Sequence, residues 1–220
     1  MKPIDTISDE ALRDENLRDQ GLGETGTGKT LVIACGALAR EVLAVIEMNA
    51  LEHLTLTCLP AILHNEPTKI PAAVERAVTE HRADYDQILV AYGDCGTGGQ
   101  LQTLCDRLGV TMIDAPHCYA FFDGMEVFTT RDEPTTFYLT DFLARQFDTF
   151  VWKPLGLDRY PDLLPMYFGN YEKLVYLAQT EDEGLTDVAR EAAERLRLRF
   201  ERRFTGYGDL GRFLVDSQRD

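Results

Sequence analysis

Serine is almost missing from this chain: it occurs only at Ser8 and Ser217. A serine hydrolase needs its hydroxyl on a rigid turn within the body of the fold, so that chemistry is excluded. No C-x-x-C pair occurs among the five cysteines. An odd number at irregular spacing gives neither a disulfide framework nor a zinc ribbon, and reduced thiols in a cytoplasmic protein are the expectation. No apolar run reaches the roughly 18 residues of a membrane helix. The first twenty residues, MKPIDTISDEALRDENLRDQ, lack the apolar core of a signal peptide. Basic residues are scarce, 22 against 37 acidic ones, for a net charge of −15. That balance repels phosphate backbones and anionic lipid, so neither nucleic acid nor membrane is an expected partner.

What is present points to an α/β fold. Leu31–Cys35, Leu54–Cys58, Ile88–Tyr92 and Val110–Asp114 are short β-prone runs. Between them Ile70, Ala73, Val74, Ala77 and Val78 recur at helical spacing, as do Leu101, Leu104, Cys105 and Leu108. Alternation of this kind predicts a doubly wound, mostly parallel sheet. Residues 1–28 read as a mobile tail and 29–215 as a single α/β domain. Residues 119–176 hold 15 of the 21 aromatics, and about 119–172 reads as a mostly helical, aromatic-rich insertion. Tyr119, Phe121, Phe122, Phe137, Tyr138, Phe142 and Trp152 are expected to supply a pocket wall or a subunit contact. The strand–helix rhythm returns with a strand at Lys173–Ala178 and a helical stripe of Leu185, Val188, Ala189, Ala192 and Leu196. An edge strand follows over residues 198–204.

Gly23, Gly28, Lys29 and Thr30 spell the G-x-x-x-x-G-K-T of a nucleotide-binding P-loop. A working P-loop follows a buried strand and opens a helix. Here the preceding ALRDENLRDQ carries five charges and the following Leu-Val-Ile is β-prone, so a glycine-rich linker is the favoured reading. Deleting residues 1–28 should then leave the melting temperature unchanged. A P-loop NTPase stays as the rival, and a non-catalytic interaction module built on the aromatic segment is the third reading.

Several longer strings carry a resemblance. They are LVIACGALAREV (31–42), CLPAILHNEP (58–67), AYGDCGTGG (91–99) and APHCYAFF (115–122). Three more follow: TFYLTDFLARQFD (136–148), YFGNYEKLVYLAQT (167–180) and FTGYGDL (204–210). Over about residues 30–212 the chain resembles the bacterial and archaeal family called domain of unknown function 1638. That resemblance implies an association with corrinoid-dependent methyl transfer, with methyltransferase or corrinoid proteins as partners. It supplies no catalytic residue.

Topology supplies candidates instead. Cys35 and Cys58 end the first two predicted strands, Cys95 follows the third, and His117 and Cys118 follow the fourth, with His64 in the loop after the second. In an open parallel sheet ligands bind beyond the carboxyl ends of strands. Cys35, Cys95, Cys118, His117 and His64 are therefore the expected ligands of zinc, iron or an iron–sulfur cluster, or contacts to a corrinoid carried by a partner. Cys58 and Cys105 read as packing residues, and His53 and His81 as surface ones. Gly93, Asp94, Gly96, Thr97, Gly98 and Gly99 read as a ligand-facing loop whose N–H groups would favour an anion or a Cys95 thiolate. A homo-oligomer is a further expectation.

Overall fold

The computed structural model describes residues 7–217. The chain divides into two compact units, one comprising residues up to Phe121 and from Tyr207 on, the other residues Phe122–Gly206.

The first unit opens with α1 (Asp14–Asp19) and the short strand β1 (Leu22–Thr25). There follow β2 (Thr30–Cys35), α2 (Ala39–Met48), β3 (Leu54–Leu59), α3 (Ile70–His81), β4 (Gln87–Ala91), α4 (Gln100–Leu108) and β5 (Thr111–Met112). The sheet order is β1-β3-β2-β4-β5. β2 runs parallel to β3 and to β4, β4 parallel to β5, and β1 antiparallel to β3. All six residues of β2 are buried, as suits the central strand of a sheet covered on both faces. The buried residues of α3 are Ile70, Ala73, Val74, Ala77 and Val78, the stripe read from the sequence. β5 is only two residues long, less than the run at 110–114 suggested.

Residues 1–28 are not a tail throughout. Residues 1–6 lie outside the described residues, but α1 and β1 belong to the unit, with Leu17 and Leu22 buried. Arg40 of α2 pairs with Asp14 and donates to the Leu12 carbonyl at 2.5 Å. The charges at 11–20 rule out a central strand, yet they suit a short surface helix followed by an edge strand.

The P-loop string takes no P-loop form either. Gly23 lies in β1, and Thr30 begins a strand rather than a helix. Lys29 donates to the Asp84 carbonyl at 3.2 Å, at the amino end of the sheet, opposite the edge where such a sheet binds ligands. A Cβ on Gly28 would stand 1.9 Å from the His53 carbonyl oxygen, so that glycine serves a close backbone approach.

Helix α5 (Cys118–Asp123) leads into the second unit. This unit holds α6 (Met125–Arg131), β6 (Thr136–Leu139), α7 (Asp141–Arg145), α8 (Leu164–Phe168), β7 (Lys173–Ala178), α9 (Glu183–Leu196) and β8 (Arg199–Phe204). Its sheet is β6-β7-β8, parallel throughout. The aromatic segment is thus part of a second α/β unit with its own sheet, not only a helical insertion. Phe121, Phe122, Tyr138 and Phe142 are buried, while Tyr119, Phe137 and Trp152 are half-buried. Val188, placed by periodicity on the inner stripe of α9, is 40% exposed. The chain then returns to the first unit as α10 (Gly208–Asp216), whose Leu210 and Leu214 are buried.

One carboxylate ties the three strands of the second sheet together. Glu133 accepts from Lys173 at 2.6 Å, from Arg203 in two bonds at 2.7 and 2.9 Å, and from the Tyr138 hydroxyl at 3.0 Å. Arg203 foremost, then Lys173 and Tyr138, hold its carboxyl at about 2, against the ordinary 4.5. A lowered folded-state value means the stabilisation is complete above about pH 4.5 and is lost as the pH falls toward 2. Thermal midpoints should drop across that window, and the drop should shrink in Glu133→Gln.

Candidate functional site

Strand order reverses between β2 and β4, since the connection from β2 steps to β3 on one side and then returns to β4 on the other. Such a switch point leaves a crevice at the carboxyl edge of a parallel sheet. Cys35 is the last residue of β2, and Tyr92, Gly93, Asp94 and Cys95 follow β4 directly. The loop after β5 brings His117 and Cys118 alongside.

Two loops are clamped together there. The Asp94 N–H donates to the Ala115 carbonyl at 2.7 Å and the Cys95 N–H to the Pro116 carbonyl at 2.9 Å. A Cβ on Gly93 would lie 2.9 Å from the His117 carbonyl carbon and 3.0 Å from the Ala115 oxygen, so only glycine permits the approach. The clamp sets the Cys95 sulfur 3.1 Å from that of Cys118. Both residues are half-buried, whereas Cys35, Cys58 and Cys105 are buried. Cys95 adopts φ +47°, a left-handed conformation that costs a non-glycine residue roughly 1–2 kcal/mol. The backbone bonds to the neighbouring loop hold it there.

The two sulfurs differ in proton affinity. Cys95 is lowered below the ordinary thiol value, chiefly by the hydrogen bond from Cys118, against the opposing effect of burial. Cys118 is raised, because the same bond keeps its proton in place and burial adds to the effect. Cys35 is pushed up to about 12, first by burial, with the Ala37 N–H offsetting part of it. Burial also raises Cys58, whose neighbour is Cys35. These two are thiols, not thiolates.

Tyr92 is the residue sequence reading missed. Its ring is 2% exposed and its hydroxyl lies against the Cys35 sulfur. Its pKa is raised by burial first and then by the Cys35, Cys118 and Cys58 sulfurs around it. The only signal was an aromatic residue closing an otherwise aliphatic strand.

The glycine loop behaves differently from expectation. The Gly98 and Gly99 N–H groups donate to the Asp94 carboxylate at 3.0 and 2.7 Å, and the buried Thr97 hydroxyl donates to it at 2.6 Å. The chain's own carboxylate thus occupies the position foreseen for an anion, and Thr97 lowers its pKa most. Gly96, Gly98 and Gly99 all have positive φ, which accounts for their being glycine.

His64 and His117 are near enough to influence each other. Burial lowers the pKa of both, and the His117 charge lowers His64 further, so neutral imidazoles are favoured. His117 also stacks on Tyr119 at 4.9 Å. His53 faces Ser217 at 3.1 Å and His81 pairs with Glu24 at 2.7 Å, both away from the thiols. Among the described residues, no group of three or more His, Cys, Asp or Glu side chains is arranged to hold a metal ion. No helix among them is long and apolar enough to cross a membrane.

No curated protein and no solved structure matches the chain. One family does match, over residues 58–214, from the end of β3 to α10. By that match, which covers more than half its length, the chain belongs to the family described as protein of unknown function DUF1638.

Proposed function

We propose that the protein works through a soft-ligand thiol centre, Cys95 and Cys118, that binds a metal ion or metallocofactor. The reading rests on one observation: the sulfurs of the two half-buried cysteines meet at 3.1 Å beside the point where strand order reverses. A tetrahedral metal takes thiolates at about 2.3 Å, so the sulfurs need open by less than about 1 Å to share one ion. They supply two ligands. The remaining positions fall to the bound group itself, or to Cys35, His64 or His117 after side-chain rearrangement. The setting we propose for this chemistry is accessory to corrinoid-dependent methyl transfer in the cytoplasm, in keeping with the family resemblance.

Cobalt(II) titration of the reduced chain tests the idea, since thiolate coordination gives intense near-ultraviolet absorption. One equivalent should bind, and the band should vanish in Cys95→Ser and in Cys118→Ser. Reduced protein that develops no such band would overturn the reading.

A further inference from the structure

The same two sulfurs are placed for chemistry that needs no metal. They stand 3.1 Å apart, about 1 Å more than the S–S bond length of roughly 2.05 Å. Two backbone bonds fix one loop on the other, so closing that gap requires side-chain rotation rather than movement of the fold. Cys95 occupies a left-handed position that glycine or asparagine would fill at lower cost. A strained residue held by its surroundings points to the side chain as the reason for its presence. The buried Tyr92 hydroxyl lies against the Cys35 sulfur, with those of Cys118 and Cys58 near it.

We propose that Cys95 and Cys118 form a dithiol–disulfide couple that exchanges with low-molecular-weight disulfides. Cys95 thiolate attacks one sulfur of an incoming RSSR, forming a Cys95–S–S–R bond and expelling RS⁻. Cys118 then attacks the Cys95 sulfur, the Cys95–Cys118 bond forms, and a second RS⁻ leaves. The two thiol protons depart on the two thiols released. The protein dithiol loses two electrons and RSSR gains them. The second step follows from placement: with the two sulfurs 3.1 Å apart, a mixed disulfide on Cys95 is within reach of Cys118. Cys35, Cys58 and Cys105 remain inert because they are buried.

The test uses the full chain, reduced and freed of metal by chelation, with glutathione disulfide as the oxidant. Intact mass should fall by two hydrogens without a retained glutathione, and peptide mapping should show a Cys95–Cys118 link. In Cys118→Ser the reaction should stop at one glutathione on residue 95. In Cys95→Ser no internal link can form, and any glutathione taken up at Cys118 should be retained. A wild-type chain that forms no such link overturns the proposal without recourse to any variant. Release of glutathione from either single variant through an internal link, or adducts spread over the buried cysteines, overturns it too. Chelation keeps the result apart from the cobalt titration, so the couple and the metal site stand or fall separately.

Discussion

Removal of residues 1–28 should lower the melting temperature by about 6–12 °C. The deletion strips β1 from the edge of the first sheet and with it the hydrogen bonds from Thr57 to the Leu22 carbonyl and from Thr25 to the Leu56 carbonyl. It also removes Leu17 and Leu22, both buried. Each buried leucine is worth about 1.5–3 kcal/mol, so a net loss of about 3 kcal/mol is expected after the entropy returned by a shorter ordered chain. For a chain of this size 1 kcal/mol moves the midpoint by roughly 2–4 °C. The bared edge of β3 should also promote association, visible as light scattering on heating. An unchanged midpoint would restore the tail reading. Lys29→Ala makes the complementary point. Its side chain only donates to an exposed carbonyl, so a change within about 0.5 kcal/mol and no effect of Mg-ATP on melting are expected.

Asp141→Ala should be at least as damaging, and for a different reason. Asp141 is 1% exposed and joins the carboxyl ends of β6 and β7. Its oxygens accept from the Tyr176 hydroxyl at 2.7 Å, the Thr180 hydroxyl at 2.6 Å and the Gln179 N–H at 3.0 Å. Truncation leaves these donors without an acceptor in a buried place, at about 1–3 kcal/mol for each group not rescued by water. A loss of about 3–4 kcal/mol is expected, read as a midpoint lowered by about 6–16 °C. Tyr176→Phe removes one donor together with its demand and should cost only about 1 kcal/mol. If the two variants melt alike, the carboxyl group is not the hub of the network.

The parallel strands of the first unit were legible because each is a short β-branched run flanked by helical periodicity. β2 and α3 needed nothing more. In the second sheet β7 and the edge strand β8 were legible too, but β6 was not. β6 has only four residues and stands within the aromatic-rich string TFYLTDFLARQFD, where period 2 and period 3.6 cannot be told apart. Phe142 then looked like a docking residue because nothing local shows which side the sheet lies on. Placement of the thiols at strand ends followed from topology, but the contact of Cys95 with Cys118 depends on the close approach that Gly93 permits. That approach is tertiary, and a single sequence does not record it. The glycine loop misled in the opposite direction, since Asp94 takes the N–H groups that a ligand was expected to use.

The return of α10 to the first unit has a consequence for the order of assembly. The second unit is continuous in sequence and can form its sheet once Phe204 has left the ribosome. The first unit cannot be completed until residues 122–206 have been made and the chain has come back. Closing so long a loop is entropically slow, and contacts of high sequence separation form late. Until α10 docks, the face of α2 carrying Val45 is uncovered on a nascent chain whose sheet is otherwise ready. That interval is when a chaperone would find this protein, and when a crowded cell would be most prone to aggregate it.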